Sequence, residues 1–449
     1  MVEEHDPEDD KFDFDNLLTE QVRRELTHDN LKPLSGTEFD PEQFLKSVPP
    51  NKNVSFLDRE IDAKKLYQYM VSYMKVYYDI STEMDAFSKI RQTMDDQLWD
   101  TLCYIIPLLC RQVIHEALRH EPIIVTSHPD LLIFGDIHGN FNDIYYINRH
   151  YISNSKYDHY RFVFLGDYVD RGPKSVEVVV FLFTCKLMDP HRFILLRGNH
   201  EVQKVNKKYG FQALVEYIFK DNYVKSLDIT KLIYQSFNCA FNFLPLAAIV
   251  KQDGHKSIWC CHGGVPSSYL KATNKDKPWT IDELNALSSH LKPNSLVPSA
   301  HASKKVLALN EILWNDPLPR RVRSKPKLQN KLFYRNMRRG GHCHWFTEPA
   351  VIAFCEVNNL RLIIRGHQYK YSKEHGYGID CDGRLLTVFS SSNYCGIENN
   401  VTGYVVVNGE MIVTPSVLRK NTESEQYRKF NFFEIKVNPK TKQITDVLL

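Results

Sequence analysis

A layered α/β domain is the fold class that this 449-residue sequence predicts. Short apolar runs recur along the chain, stretches with helical spacing separate several of them, and glycine-rich clusters of acid, imidazole and amide residues follow them directly. Strands separated by helices form β-α-β units, whose strands are buried on both faces and therefore read as continuous apolar segments.

The runs are Leu131–Phe134, Phe162–Leu165, Phe193–Leu196, Ser257–Cys260, Arg361–Ile364 and Leu385–Phe389. Helices are expected over 174–188 and 205–220. Upstream, Leu109, Val113 and Ala117 with Cys110, Ile114 and Leu118 form an apolar stripe, and Pro107 suits the first turn of that helix. Leu66, Met70, Tyr73 and Tyr77 recur at roughly helical spacing within 57–92, predicting a further helix. The acid-rich start, from Glu3 to Asp15, and the prolines of 1–50 predict a tail without a packed core. Segments 291–306 and Arg320–Lys327 read as loops, and 422–449 as a polar link followed by an alternating strand, Asn431–Val437.

Composition excludes several classes of function. Lys and Arg number 57 against 54 Asp and Glu, a formal charge of +3, too small for global attraction to nucleic acid or a membrane surface. The ten cysteines are scattered without a Cys-x-x-Cys pair, which disfavours a zinc ribbon or disulfide framework and suits reduced thiols in the cytoplasm or nucleus. The N-terminus is acidic where a secretory signal needs a basic start, so none is expected. The apolar stretch Phe241–Val250 is broken by Asn242 and Pro245 and falls short of the roughly 20 residues that span a bilayer, so no membrane insertion is expected.

The chemistry gathers at the ends of the predicted strands. Gly135-Asp136-Ile137-His138-Gly139-Asn140 follows the first, and Gly166-Asp167-Tyr168-Val169-Asp170-Arg171-Gly172 the second. Arg197-Gly198-Asn199-His200-Glu201 follows the third, and His262-Gly263-Gly264 the fourth. Glycines let a backbone turn tightly beside an ion, while carboxylates, imidazoles and an amide oxygen coordinate it. A carboxylate such as Asp167 can bridge two cations about 3.5–4 Å apart, an arrangement suited to hydrolysing a phosphate ester. Singly, a buried Asp could cap a helix and a His could be a satisfied core residue; four such clusters in series point to a metallophosphatase.

These motifs resemble the PPP serine/threonine phosphoprotein phosphatases, especially the type-1 catalytic subunit. The similarity continues through Leu313-Trp314-Asn315-Asp316-Pro317, Ile364-Arg365-Gly366-His367-Gln368 and Phe389-Ser390-Ser391-Ser392-Asn393-Tyr394-Cys395-Gly396. It implies a metallophosphatase fold: a central β-sandwich flanked by helices, with a dinuclear metal site at strand-end loops. It implies Asp136, His138 and Asp167 around one metal, and Asp167, Asn199, His262 and His367 around the other. Composition does not single out His367. The resemblance further implies His200 as general acid oriented by Asp170, Arg171 and Asn199 on the phosphate, Tyr394 bordering the cleft and Asp316 lining it. Two divalent ions are expected, with manganese the leading assignment and iron and zinc compatible with the same donors.

The implied organisation is an N-terminal extension over 1–84, a catalytic domain over 85–420 and a short C-terminal addition over 421–449. Expected partners are phosphoprotein substrates and regulatory or targeting subunits. Two departures stand out. The family's second phosphate arginine corresponds to Arg339-Gly340-Gly341-His342-Cys343-His344-Trp345-Phe346, one residue longer than the usual spacing, so that Arg338 competes with Arg339 for the role. Ser392 stands where type-1 enzymes have proline. The rival readings are a small-phosphoester or dinucleotide hydrolase of the same superfamily, and a catalytically weak binding scaffold.

Overall fold

The computed structural model describes residues 59–78, 99, 102–118, 121–128, 130–219, 229–271, 277–287, 291, 296–320, 331–371, 373–396 and 398–418. The acidic start, most of the basic run after Arg320 and the strand expected at 431–437 lie outside these residues.

Two sheets dominate. One contains β2 (Leu131–Phe134), β3 (Arg161–Phe164), β4 (Phe193–Leu195), β13 (Thr402–Val407) and β14 (Val413–Leu418), in the order β14-β13-β2-β3-β4. The other contains β1 (Ile123–Thr126), β5 (Ala247–Val250), β6 (Ser257–Cys261), β10 (Leu360–Arg365), β11 (Tyr377–Asp380) and β12 (Leu385–Val388), in the order β1-β5-β6-β10-β12-β11. A small third sheet joins β7 (Asp316–Pro317), β9 (His344–Phe346) and β8 (Phe333–Arg335).

Side-chain alternation explains why the strands read as unbroken apolar runs. On β2, Leu131 and Ile133 enter the layer between the sheets, where they meet Ile364 of β10 and Val388 of β12. Leu132 and Phe134 face outward into a second core with the helices. On the other sheet, Trp259, Cys261 and Ile363 face a third core made with its own helices. The result is the expected sandwich between helical layers, with apolar residues required on both faces of each sheet.

The helices are α1 (Ala63–Tyr78), α2 (102–112), α3 (Phe141–Ile147), α4 (Ser175–Met188), α5 (Gln203–Tyr209), α6 (Phe211–Phe219), α7 (Ile229–Asn242), α8 (Ile281–Asn285), α9 (Lys304–Trp314) and α10 (Glu348–Val357). No described helix is long and apolar enough to cross a membrane. Several expectations change. Pro107 lies inside α2 rather than in its first turn. The helix expected over 205–220 breaks into α5 and α6 at Gly210, whose φ of +121° no L-residue adopts easily. The loop expected over 291–306 becomes helical at Lys304, where the Ser303 side chain accepts from the Val306 N–H. α1, assigned to the extension over 1–84, buries Leu66, Met70, Tyr73 and Met74 in the same core as α3, α4 and α7.

Strand direction positions the site. β2, β3 and β4 run parallel, as do β6, β10 and β12, so their C-terminal ends line one edge of each sheet. A bridge between Asp136 and Phe389 ties those edges together. Ligands bind beyond the carboxyl ends of such strands.

Candidate metal and phosphate site

The strand-end loops are strained and tightly held. His138, Asp167, Asp170, Arg171 and His367 all have φ between 46° and 71°, a region that non-glycine residues rarely adopt. The buried Glu201 carboxylate stabilises this geometry by accepting from the backbone N–H groups of Asp167 at 2.7 Å, Tyr168 at 2.8 Å and Gly198 at 2.9 Å. The backbone of Gly198 approaches so closely that a Cβ there would stand 2.2 Å from the Asp167 nitrogen.

Hydrogen bonding assigns the imidazole tautomers. His138 Nδ1 lies 2.9 Å from the Val169 carbonyl and His262 Nδ1 lies 3.0 Å from that of Leu165. A carbonyl only accepts, so each Nδ1 carries a proton and, in the neutral ring, each Nε2 keeps a lone pair. His138 Nε2 faces Asp167 Oδ2 at 3.5 Å and Asp136 Oδ2 at 3.8 Å. His262 Nε2 faces Asp167 Oδ2 at 3.2 Å, Asn199 Oδ1 at 3.0 Å and His367 Nδ1 at 2.9 Å. Asp167 Oδ2 is common to both groups. Lone pairs converging without enough protons to share suit cations, and the donor set is the hard oxygen and imidazole mixture that divalent ions take. Among the described residues, the candidate ligand atoms of His138, Asp167 and His200, and of Asp167, His262 and His367, lie within 4.8 Å of one another. Asp136 stands slightly apart, its Oδ1 accepting the His367 N–H at 2.7 Å.

Electrostatics favour the metal-binding protonation states at His138, His367 and Asp167, whereas Asp167 outweighs burial to raise His262, and burial raises Asp136. Burial pulls His138 down to about 4, against the opposing pull of Asp167, so it is neutral at pH 7. Burial also pulls His367 well below the usual range, with Arg339 adding to the effect. Burial acts to raise Asp167, but His262 and His200 outweigh it and hold the carboxyl below its ordinary value.

His200 borders the shared carboxylate. Its Nε2 is 3.9 Å from Asp167 Oδ2, and its Nδ1 is 2.6 Å from Asp170 Oδ2. Asp170 Oδ1 accepts the Phe211 N–H at 2.8 Å, fixing the carboxylate from its other side. Burial pulls His200 down to about 4, with Asp167 opposing. The Arg171 guanidinium lies 4.5 Å from the Tyr209 ring centroid, and its buried Nε has no protein partner. The Tyr394 ring lies 5.2 Å from that of His138. Arg339 donates from Nε to Asp316 Oδ2 at 2.6 Å and from a terminal nitrogen to Oδ1 at 3.3 Å.

Residues 130–371 match the calcineurin-like phosphoesterase family model, more than half of the chain. The chain belongs to that family. Among curated phosphoesterase relatives, serine/threonine-protein phosphatase BSL2 of Arabidopsis thaliana is 29% identical over 70% of this chain and 27% of its own length. Human serine/threonine-protein phosphatase 5 is 33% identical over 62% of this chain and 46% of its own length. The chain thus spans less than half of either relative. A solved structure of a Saccharomyces cerevisiae protein serine/threonine phosphatase superposes with a TM-score of 0.52 at 23% identity, covering 72% of this chain and 90% of that one. That likeness establishes the metallophosphatase fold.

The sequence-predicted site residues other than Arg339 and Asp316 follow β2, β3, β4, β6, β10 and β12 at the same strand-end edge, and Arg339, from the turn between β8 and β9, joins them through Asp316, whose Oδ1 lies 3.7 Å from His367 Nε2. Of the two arginines competing for the second phosphate contact, the turn Met337–Arg339 brings Arg339 to Asp316 and leaves Arg338 exposed. Three contributors had not been singled out. Arg365, fully buried, donates from Nε to the Gly263 carbonyl and from NH1 to Gln368 Oε1 at 2.9 Å, and its NH2 stands 3.6 Å from Asp316 Oδ1. It ties the His262 loop to the His367 loop. Glu201 holds the Asp167 loop, and Tyr209 packs between Arg171 and His200, 5.3 Å from the latter ring. Arg365 and Glu201 lay inside quoted motifs, where their neighbours carried the obvious chemistry. Tyr209 carried no sequence signal.

Proposed function

We propose that this chain is a metal-dependent serine/threonine protein phosphatase that hydrolyses phosphoserine and phosphothreonine esters in proteins. The observation carrying this reading is the single carboxylate oxygen, Asp167 Oδ2, shared by two sets of lone-pair donors beside His200 and two arginines. Asp136, His138 and Asp167 would hold one divalent ion, and Asp167, Asn199, His262 and His367 the other. When bound, such ions supply Lewis acidity that lowers the pKa of water and neutralises phosphoryl oxygens. Manganese is the leading assignment, and iron and zinc suit the same donors.

The chain's own residues do the rest. Arg171 offers its planar guanidinium, including the unpartnered Nε, to phosphoryl oxygens, and Arg339, tethered by Asp316, offers a second charge. The Asn199 amide steadies the same group, and Tyr394 borders the cleft beside His138. His200 donates a proton from Nε2 to the leaving alkoxide, while Asp170 fixes the ring through Nδ1. An arriving phosphate dianion favours the charged imidazole and so offsets the burial that lowers it. All ten cysteines are free, which supports a cytoplasmic or nuclear compartment. Phosphoprotein substrates and regulatory or targeting subunits are the proposed partners, and the proposed catalytic domain is 85–420 together with α1, which shares its core.

The test compares metal-dependent turnover of a phosphopeptide, a diadenosine polyphosphate and a small aryl phosphate. Preferential phosphopeptide hydrolysis is expected. Preference for the dinucleotide, or no turnover of any of the three with metals bound, would overturn the reading.

A further inference from the structure

The site has basic side chains just outside it that no acid neutralises. α5 starts three residues after His200 and exposes Lys207 and Lys208, with Lys208 Nζ 5.6 Å from the Tyr209 ring centroid. That ring also meets Arg171 and His200. Lys208 is therefore one tyrosine away from the groups proposed to grip and protonate phosphate, and the exposed Lys207 precedes it in α5. A second basic edge is the exposed Arg338, adjacent in sequence to Arg339, whose charge bears on His200 together with that of Arg171. Lys207, Lys208 and Arg338 make no ion pair among the described residues. The nearby acids are occupied: Asp170 by His200 and the Phe211 N–H, and Asp316 by Arg339 and Arg365. Lys207, Lys208 and Arg338 thus add unneutralised positive charge at the rim, although the whole chain carries only +3.

We infer that this site selects phosphoserine and phosphothreonine flanked by aspartate or glutamate, which pair with Lys207, Lys208 and Arg338. The inference rests on the proposed phosphatase reading and adds its substrate class. Successive residues of an extended peptide advance about 3.3 Å, so an acidic side chain roughly two to four positions from the phosphoresidue spans the Tyr209 ring and meets the lysines. Opposite charges across the cleft rim add on-rate and selectivity, while like charges in a basic flank repel.

The test measures binding rather than turnover, using the full chain loaded with manganese and fluorescent peptides carrying a non-hydrolysable phosphonate between acidic, neutral or basic flanks. The acid-flanked peptide should bind roughly tenfold more tightly than the neutral one, the combined weight of two or three exposed ion pairs. That advantage should shrink with added salt. It should vanish in Lys207→Glu/Lys208→Glu/Arg338→Glu with the neutral peptide unaffected. Single Gln substitutions at these exposed positions should give graded partial losses. Equal binding of acidic and neutral peptides, an unchanged preference in the triple variant, or silence of all three Gln variants overturns the inference. Equal competition by an RNA oligomer would mark a general polyanion surface and also overturn it. Turnover of the matching phosphopeptides is measured in parallel. Selective binding without hydrolysis would sink the phosphatase reading alone, and hydrolysis without selectivity would sink the recognition alone.

Discussion

Asp167 concentrates the electrostatics of the site in one carboxylate. Its Oδ2 faces His138, His262 and His200, while Oδ1 accepts the His200 N–H at 2.9 Å. Asp167→Asn removes a charge from both proposed ion sites without changing shape, so metal affinity should fall by at least on the order of 100-fold and phosphopeptide turnover should fall with it. Metal content measured after dialysis checks this; retention of two ions per chain with normal turnover would exclude the bridging role. His200→Ala leaves the metal donors in place. It should lower kcat on a phosphoserine peptide by on the order of 10²–10⁴-fold and have a smaller effect on an aryl phosphate, whose phenolate leaves without a proton. Equal losses on the two substrates would remove His200 from the acid's position. At this scale the sequence was legible wherever ligand types sat between glycines. His367, which meets His262 across 105 residues of chain, was legible only through the family resemblance, and Tyr209 not at all, an ordinary helical tyrosine until the fold sets it against Arg171.

At the scale of elements, the loop carrying Tyr394 is anchored to α3 through Asp143. This fully buried carboxylate accepts the Ser392 N–H at 2.7 Å, the Ser392 hydroxyl at 3.0 Å and the Thr402 hydroxyl at 2.8 Å. α3 itself begins at Asn140, directly after the Asp136–Gly139 loop, so Asp143 couples two edges of the cleft. Proline at 392, the residue seen in type-1 enzymes, has neither the N–H nor the hydroxyl. Ser392→Pro should therefore destabilise this chain by roughly 2–3 kcal/mol, because a buried carboxylate loses two donors. Ser392→Ala, which keeps the N–H, should cost about 1 kcal/mol. Urea denaturation distinguishes them, and equal stability of the two variants would show that the N–H bond contributes nothing. Gly198→Ala is the corresponding change on the other sheet edge: its Cβ would collide with Asp167, so folded protein should lose metal sharply while remaining close to wild type in helix content. Strands such as β2 and β3 were readable because both faces are buried. β14 lies at a sheet end with partly exposed residues and Pro415 in its pattern, and β7–β9 are only two or three residues long, so none of these gave an apolar run, whereas β13 carries one, Tyr404–Val407, with no ligand cluster after it to mark it.

For the whole molecule, the question is whether the metallophosphatase sandwich is complete without the helix that precedes it. Sequence resemblance placed residues before 85 in an extension, because motifs carry a family likeness and packing helices do not. α1 nevertheless lies against α4 and α3, the two helices that follow the Asp167–Arg171 and Asp136–Gly139 loops. Tyr73 closes the contact: its ring lies 6.2 Å from Phe141, and its hydroxyl accepts from Lys174 Nζ at 3.1 Å, three residues beyond Arg171. Lys174 in turn pairs with the buried Glu177 at 2.9 Å. Removing α1 would expose the apolar surface covered by Leu66, Met70, Tyr73 and Met74. Each such side chain is worth about 1.5–3 kcal/mol of burial, so the loss is on the order of 6–12 kcal/mol, comparable with the entire net stability of a typical domain. A chain starting at residue 79 should therefore be insoluble or bind a hydrophobic dye at room temperature, and should show no phosphatase turnover. A milder probe avoids complete unfolding. Met70→Ala should lower stability by about 2–5 kcal/mol through the cavity it leaves. Tyr73→Phe should cost only about 1 kcal/mol while loosening the Lys174 contact, measurable as a higher KM for phosphopeptide with kcat preserved. Full stability of the chain beginning at residue 79 would show that α1 is an appendage after all, and that the core beneath it closes on its own.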